Sequence, residues 1–286
     1  MFVSFAVATV LLTGTACATS ATAAATVGTQ QISEQAIFER TSSLADQAEQ
    51  AGQPAPSELE RAAVNRAQTT AAIRSRLWEA AAADNGVVIT DAQVNAALAR
   101  QPGVSSGAVT QQGAFEQVVR DLLRMQGVLA AAGAQGVPVT DVTVIIDGAR
   151  VDSRDEAVEL RTALLGDPAT ADAQLAAAAA PIGRQPLDLL SNPTDAQTGV
   201  FAAQPGEVVL YPQGGQYFVV RVLERREAPG VLTARQVQQA QTIGDQFDLA
   251  ALLLQPYAEQ EGVDVNPRIG GWDPLAIQVI PGGSGL

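Results

Sequence analysis

The sequence predicts an α+β fold: a mostly helical domain closed by strands from both chain ends, with a small α/β domain inserted between its parts. Three observations predict it. Ser57, Thr90, Ser153 and Thr233 each stand three positions before a Glu or Gln and open an Ala-rich or apolar-periodic run. At that spacing the hydroxyl bonds an orphan amide of the first helical turn while the Glu or Gln side chain reaches back, so four helices should start there. The run Val139 to Ile146 is β-branched and continuous, the mark of a buried strand. Strand-like stretches lie near both chain ends, and pairing with each other is the economical way to satisfy their backbones.

The elements follow in order. From Ser57 a helix should run to about Ala83, because Leu59, Ala63, Arg66, Thr70, Ile73 and Leu77 recur at three- and four-residue steps and share one face. Asp84-Asn85-Gly86 ends it. A shorter helix, Thr90 to Arg100, is stopped by Gln101-Pro102-Gly103. Another runs from about Gln111 to Ala132 with Phe115, Val118, Val119, Leu122, Met125 and Leu129 in phase. Beyond Pro138 come the strand Val139 to Ile146, a helix from Ser153 to Leu165 and an Ala-rich helix around Thr170 to Ala180. Pro181 to Thr198 reads as irregular, with two further prolines. A hairpin from Glu207 to Arg225 closes this unit at Pro229-Gly230. A last helix spans Thr233 to Gln260, with Pro256 as a kink point, and the strand Val263-Asp264-Val265-Asn266 and a second strand, Ala276 to Ile280, follow.

Composition narrows the function. The chain has 286 residues, 47% of them apolar, enough for two domains with real cores. Its formal charge of -13 repels phosphate and anionic lipid, which excludes nucleic acid as a partner and suits basic ones. All 17 basic residues are Arg. With no His and one Cys, an internal disulfide, Cys₄ or Cys₂His₂ zinc and a His-dependent triad are all excluded. No cofactor is expected.

Residues Met1 to Val27 carry no charge. An apolar run, Phe2 to Leu12, leads into small residues, Thr13 to Ala25, as in a secretory signal peptide, here without its basic start. A membrane-spanning helix is the rival reading, but the second half is Thr, Ala and Ser where a span needs about 20 strongly apolar residues. Cys17 follows Leu11-Leu12-Thr13-Gly14-Thr15-Ala16, which resembles a bacterial lipobox with Gly14 where Leu is usual. Cys17 is then the lipidated residue, and a lipid anchor the one contact with membrane; the alternative is a chance Cys in a leader cut near Ala23 or Ala25.

Three motifs, in chain order, carry a family resemblance. Ala25-Thr26-Val27-Gly28-Thr29-Gln30-Gln31-Ile32-Ser33 resembles the strand-turn-strand that opens exported bacterial foldases of the SurA and PrsA type. Val263-Asp264-Val265-Asn266-Pro267-Arg268-Ile269-Gly270-Gly271-Trp272 resembles their closing segment. Between them, Gly199 to Glu224, with Val200-Phe201, Gln204-Pro205-Gly206-Glu207-Val208 and Tyr217 to Val222, resembles the second half of a parvulin-type prolyl isomerase domain. The resemblance implies a leader over 1–25, a chaperone domain built from 26–138 plus 231–286, and a parvulin-like domain over 139–230.

It also implies where catalysis would sit. Parvulins carry two facing His residues in an apolar pocket; Val144 and Phe218 stand at those positions here, and only Ile182-Gly183-Arg184 hints at the Gly-rich loop between them. The isomerase chemistry therefore reads as lost, and no catalytic residue is assigned. An enzyme would have to work with Tyr217, Thr143 or backbone donors. Asp147, Asp152 and Asp155 read as a turn and a helix start, where negative charge suits the dipole. Gly282-Gly283-Ser284-Gly285 opens no helix and is no phosphate loop. Asp264 and Asp273 lack calcium-loop spacing, so no metal is assigned. Trp78, Phe38 and Phe115 read as helical core, and Trp272 as packing for the terminal strand. The function implied is an ATP-independent extracytoplasmic chaperone for unfolded exported proteins, sited in the cell envelope. The alternatives are an active prolyl isomerase, or an envelope adaptor that binds one native partner.

Overall fold

The computed structural model describes residues 22–52, 54–100, 109–239 and 243–281. Residues 1–21 of the expected leader, with Cys17, the stop at Gln101-Pro102-Gly103 and the Gly282 to Gly285 run lie outside them, whereas Ala23 to Ala25 of that leader are strand residues.

The chain opens with β1 (Ala23–Val27) and β2 (Gln30–Ser33), joined by a two-residue turn in which Gly28 takes φ +59°. Three helices follow closely: α1 (Glu34–Gln50), α2 (Glu58–Asp84) and α3 (Asp91–Leu98). Both predicted capping boxes are formed, Ser57 with Glu60 and Thr90 with Gln93. The sequence reading had missed α1. Its Ser33 cap accepts from the Ala36 amide, but position N3 is Ala36, so no reciprocal Glu or Gln marks the start. Helix α4 (Val109–Gln135) completes the first helical block.

The strand after Pro138 is longer than predicted: β3 is Val137–Val151. Helices α5 (Arg154–Gly166, with the Ser153–Glu156 capping box) and α6 (Ala171–Ala177) come next. The stretch read as irregular divides in two. Ala180–Asp188 is a strand, β4, and Pro193–Thr198 a 3-10 helix. Prolines 181 and 186 misled the reading because a proline cannot donate to a ladder; β4 lies at the sheet edge and pairs on one side only, where this loss is tolerated. The hairpin is β5 (Val208–Gln213) and β6 (Gln216–Leu232), giving an antiparallel sheet of order β4-β3-β6-β5. β3 and β6 stay paired as far as Val137 opposite Leu232.

Two further helices follow, α7 (Ala234–Gln239) and α8 (Ile243–Glu261), the latter running through Pro256. It leads into β7 (Val263–Val265), which pairs antiparallel with β1, as expected of the two chain ends. A final hairpin, β8 (Gly271–Asp273) with β9 (Gln278–Ile280), ends the described chain.

The closing motif shows what its Asn does. Asn266 is buried; its amide donates to Ala24 O at 2.9 Å, and its Nδ2 to Ala23 O at 3.0 Å. Its Oδ1 accepts from the Arg268 amide at 3.1 Å. One side chain thus ties both chain ends. Asn266→Ala is expected to cost about 2 kcal/mol in denaturant unfolding, since Ala23 O is left buried without that donor. Asn266→Asp, which keeps the acceptor and loses the donor, should be at least as damaging. A loss under about 0.5 kcal/mol in both would show the tie to be dispensable.

One apolar cluster runs through both parts. It joins Ile73, Leu77, Met125 and Leu129 of the helices, Leu252 to Leu254 of α8, and Val142, Val144, Ile146, Val220 and Val222 of the sheet. The other sheet face has a smaller core under α5 and α6, built from Ala149, Ala157, Leu164, Leu175 and Val219. Gly148 permits the close β3–β6 approach there: a Cβ would stand 2.4 Å from Val219 O.

Candidate functional site

A groove lies between helices α2, α4 and α8 and strand β9. It encloses about 450 Å³. On α2, Ala63, Ala67 and Ala71 are exposed at four-residue steps and make a smooth wall, against which an extended backbone can lie closely. Val118 and Leu122 of α4 face them, with Ala251 and Leu254 of α8 and Val279 of β9 completing the apolar lining. Val118 is 60% exposed, and Trp78 forms part of the wall while staying buried. Phe115 is half-buried, whereas Phe38, predicted as core, is 43% exposed on α1.

Polar groups fix the groove's edges. Arg74 donates to Ala276 O at 2.9 Å and Ile277 O at 2.8 Å, and Thr70 Oγ1 accepts from the Val279 amide at 2.8 Å. These bonds hold the β8–β9 turn, in which Ile277 sits at φ +50°, a conformation a β-branched residue resists. Asp121 accepts from Gln117 and from Arg124, both at 2.9 Å. Burial nonetheless pushes its carboxyl above the ordinary range, outweighing its hydrogen bonds.

That shift has a sign. A carboxyl raised on folding contributes stability that is complete below its unfolded value and is lost as pH rises through the folded one. Between about pH 4 and 7, wild type should lose stability relative to Asp121→Asn as pH rises. Denaturant midpoints at both ends of the range check this, and parallel pH profiles would refute it.

The isomerase positions are not brought together. Val144 lies opposite Arg225, while Phe218 lies opposite Arg150, six residues further along β3 and roughly 20 Å away. Val144 is fully buried in the cluster that includes Leu189, Val200 and Phe201. The Phe218 ring stacks on Tyr211 with centroids 5.3 Å apart. Thr143 bonds Asp188 at 3.4 Å, and Tyr217 packs with the core on the other sheet face, opposite Val151. Ile182, Gly183 and Arg184 belong to strand β4.

The three aspartates separate. Asp147 is a strand residue, not a turn residue: Arg221 binds it through Nε at 3.0 Å and Nη2 at 2.5 Å and reaches Asp172 at 2.6 Å, which fastens α6 to the sheet. Asp152 accepts from Gln216, and Asp155 lies in the first turn of α5. Among the described residues no group of three His, Cys, Asp or Glu is placed to hold a metal. No described helix is long and apolar enough to cross a membrane.

Sequence reasoning had no means of finding the buried ties of the tail. Gln255 of α8 is 4% exposed, accepts from the Thr140 amide of β3 at 3.3 Å and donates to Leu275 O at 3.2 Å. Asp273, 2% exposed, accepts from the amides of Leu275 and Ala276.

No curated protein is significantly similar to the chain. The crystal structure of foldase protein PrsA from Lactococcus lactis is 16% identical over 85% of this chain and 94% of that one, with a TM-score of 0.27. Residues 1–131 match the family model described as SurA-like N-terminal domain. That stretch, which holds the strand-turn-strand opening and two walls of the groove, is what resembles the family, in agreement with the opening motif.

Proposed function

We propose that this protein is an ATP-independent extracytoplasmic chaperone that holds unfolded segments of exported proteins and lacks efficient prolyl isomerase activity. The observation that carries this reading is the groove whose walls Ala63, Ala67 and Ala71 of α2 and Val118 and Leu122 of α4 fall in the stretch similar to SurA N-terminal domains, with Leu254 of α8 closing it. Apolar, shallow and open to solvent, it suits many extended sequences through side-chain contact alone. In this reading the client-binding domain comprises 26–138 plus 231–286, together with Ala23 to Ala25 of β1, and 139–230 is a parvulin-like unit retained for its shape.

The position of β1 supports lipidation at Cys17. Ala23, Ala24 and Ala25 are buried strand residues, so a leader cut after Ala25 would remove them, whereas processing at Cys17 spares the whole strand. The protein is then held at the outer face of the membrane by its lipid.

The test is light scattering of a chemically unfolded model client diluted into buffer with the chain from residue 17 onward. Stoichiometric suppression of aggregation without ATP is expected. Ala67→Glu and Val118→Glu, both at exposed positions, should abolish it while leaving the fold intact. No suppression at several-fold excess would sink the holdase reading and favour an adaptor with one native partner. Accelerated refolding of a proline-limited client would favour the isomerase.

A further inference from the structure

A second cleft, of about 400 Å³, lies where the sheet meets the tail, and it shares no lining residue with the helical groove. Asp273 forms part of its lining. Its Oδ1 is occupied by the Leu275 and Ala276 amides at 3.0 and 3.2 Å, but Oδ2 is buried with no hydrogen-bond partner. A buried carboxylate oxygen without a donor is costly and rare, and it marks a place where a donor belongs.

The surrounding groups say what kind of donor. Glu227 and Glu259 line the same cleft, opposed by Arg225 alone. Arg225 is already engaged, through Nε to Phe201 O at 2.8 Å and through Nη1 to Glu227 at 2.6 Å. Three carboxyls against one guanidinium leave the cleft negative, on a chain of net charge -13. Half-buried Trp272 adds an aromatic wall. An adjoining cleft of about 430 Å³ shares Thr140, Glu227, Gln255 and Glu259, so the seam has room for a length of chain beyond one side chain.

We propose that this seam is a subsite for an arginine side chain of an extended polypeptide, whose guanidinium donates to Asp273 Oδ2 and lies against Trp272. Guanidinium suits both demands, being a planar, permanently charged multiple donor that stacks on aromatic faces. Burial raises the Asp273 carboxyl, so a proton competes with the guanidinium, and binding should weaken as pH falls into the carboxylate range.

The two Trp residues report the two sites separately, Trp272 the seam and Trp78 the helical groove. The probe is a capped heptapeptide of six alanines around one central arginine, with its citrulline counterpart as neutral control. Titration of the ¹⁵N-labelled chain should move the Trp272 indole signal, with affinity about tenfold lower for citrulline. Asp273→Asn should remove the preference. If that variant does not fold, Glu227→Gln with Glu259→Gln should reduce it severalfold. An unmoved Trp272 signal, or equal binding of both peptides, overturns the subsite. Movement of Trp78 alone overturns it too, yet leaves the proposed client groove standing.

Discussion

Phe201→Ala should lower stability by about 3–5 kcal/mol, the range for deleting a fully buried Phe from a close-packed core. Phe201 is 0% exposed and shares a cluster with Val144, Ile146, Val220 and Val222 of the sheet. It follows the 3-10 helix that ends at Gly199, whose φ of +79° turns the chain toward the sheet. Its carbonyl is held by Arg225. The variant also tests the isomerase reading, because a working prolyl isomerase needs a slot on its sheet that substrate can enter. A denaturant-measured loss under about 1 kcal/mol would mean that the sheet face is loosely filled around Val144. It would return prolyl isomerisation to consideration.

Gln255→Leu should cost about 2–4 kcal/mol. The substitution strips Thr140 N–H of its side-chain acceptor in a part-buried bond and Leu275 O of its donor in a buried one. Gln255 binds the sheet on one side and the terminal turn on the other, so the loss should be local as well as global. Hydrogen exchange at the Thr140 amide should quicken by about tenfold or more, while the β1–β7 amides change only with global stability. Gln255→Glu should be worse at neutral pH, since it cannot donate to Leu275 O and it buries a charge. Unchanged exchange at Thr140 would show that the apolar cluster alone docks the sheet on the helices.

The helices were legible because their signals are local. A Ser or Thr three residues before Glu or Gln is a complete device, and each of the four such pairs opens a helix in the structure. Helix α1 escaped because its cap lacks the reciprocal partner, and β4 because Pro181 and Pro186 matter only once one knows that the strand is an edge. Which residues line the helical groove could not be read from the sequence. Whether Ala63, Ala67 and Ala71 face solvent or core depends on where α4 and α8 lie, and no spacing on α2 contains that.

By itself the sequence determined the α+β class, the helix starts and the absence of histidine chemistry, each from residue identity or from contacts within a few positions. The pairing of the two chain ends was expected from their strand-like stretches, each in need of a partner, although it joins residues far apart. Tertiary structure alone decided that Val144 and Phe218 stand six residues apart in register, that Gln255 ties the sheet to the tail, and that Asp273 keeps one buried oxygen without a donor. Those facts depend on strand register and on burial. Both are set by partners more than a hundred residues away in the case of Gln255 and Thr140, and no local pattern encodes them.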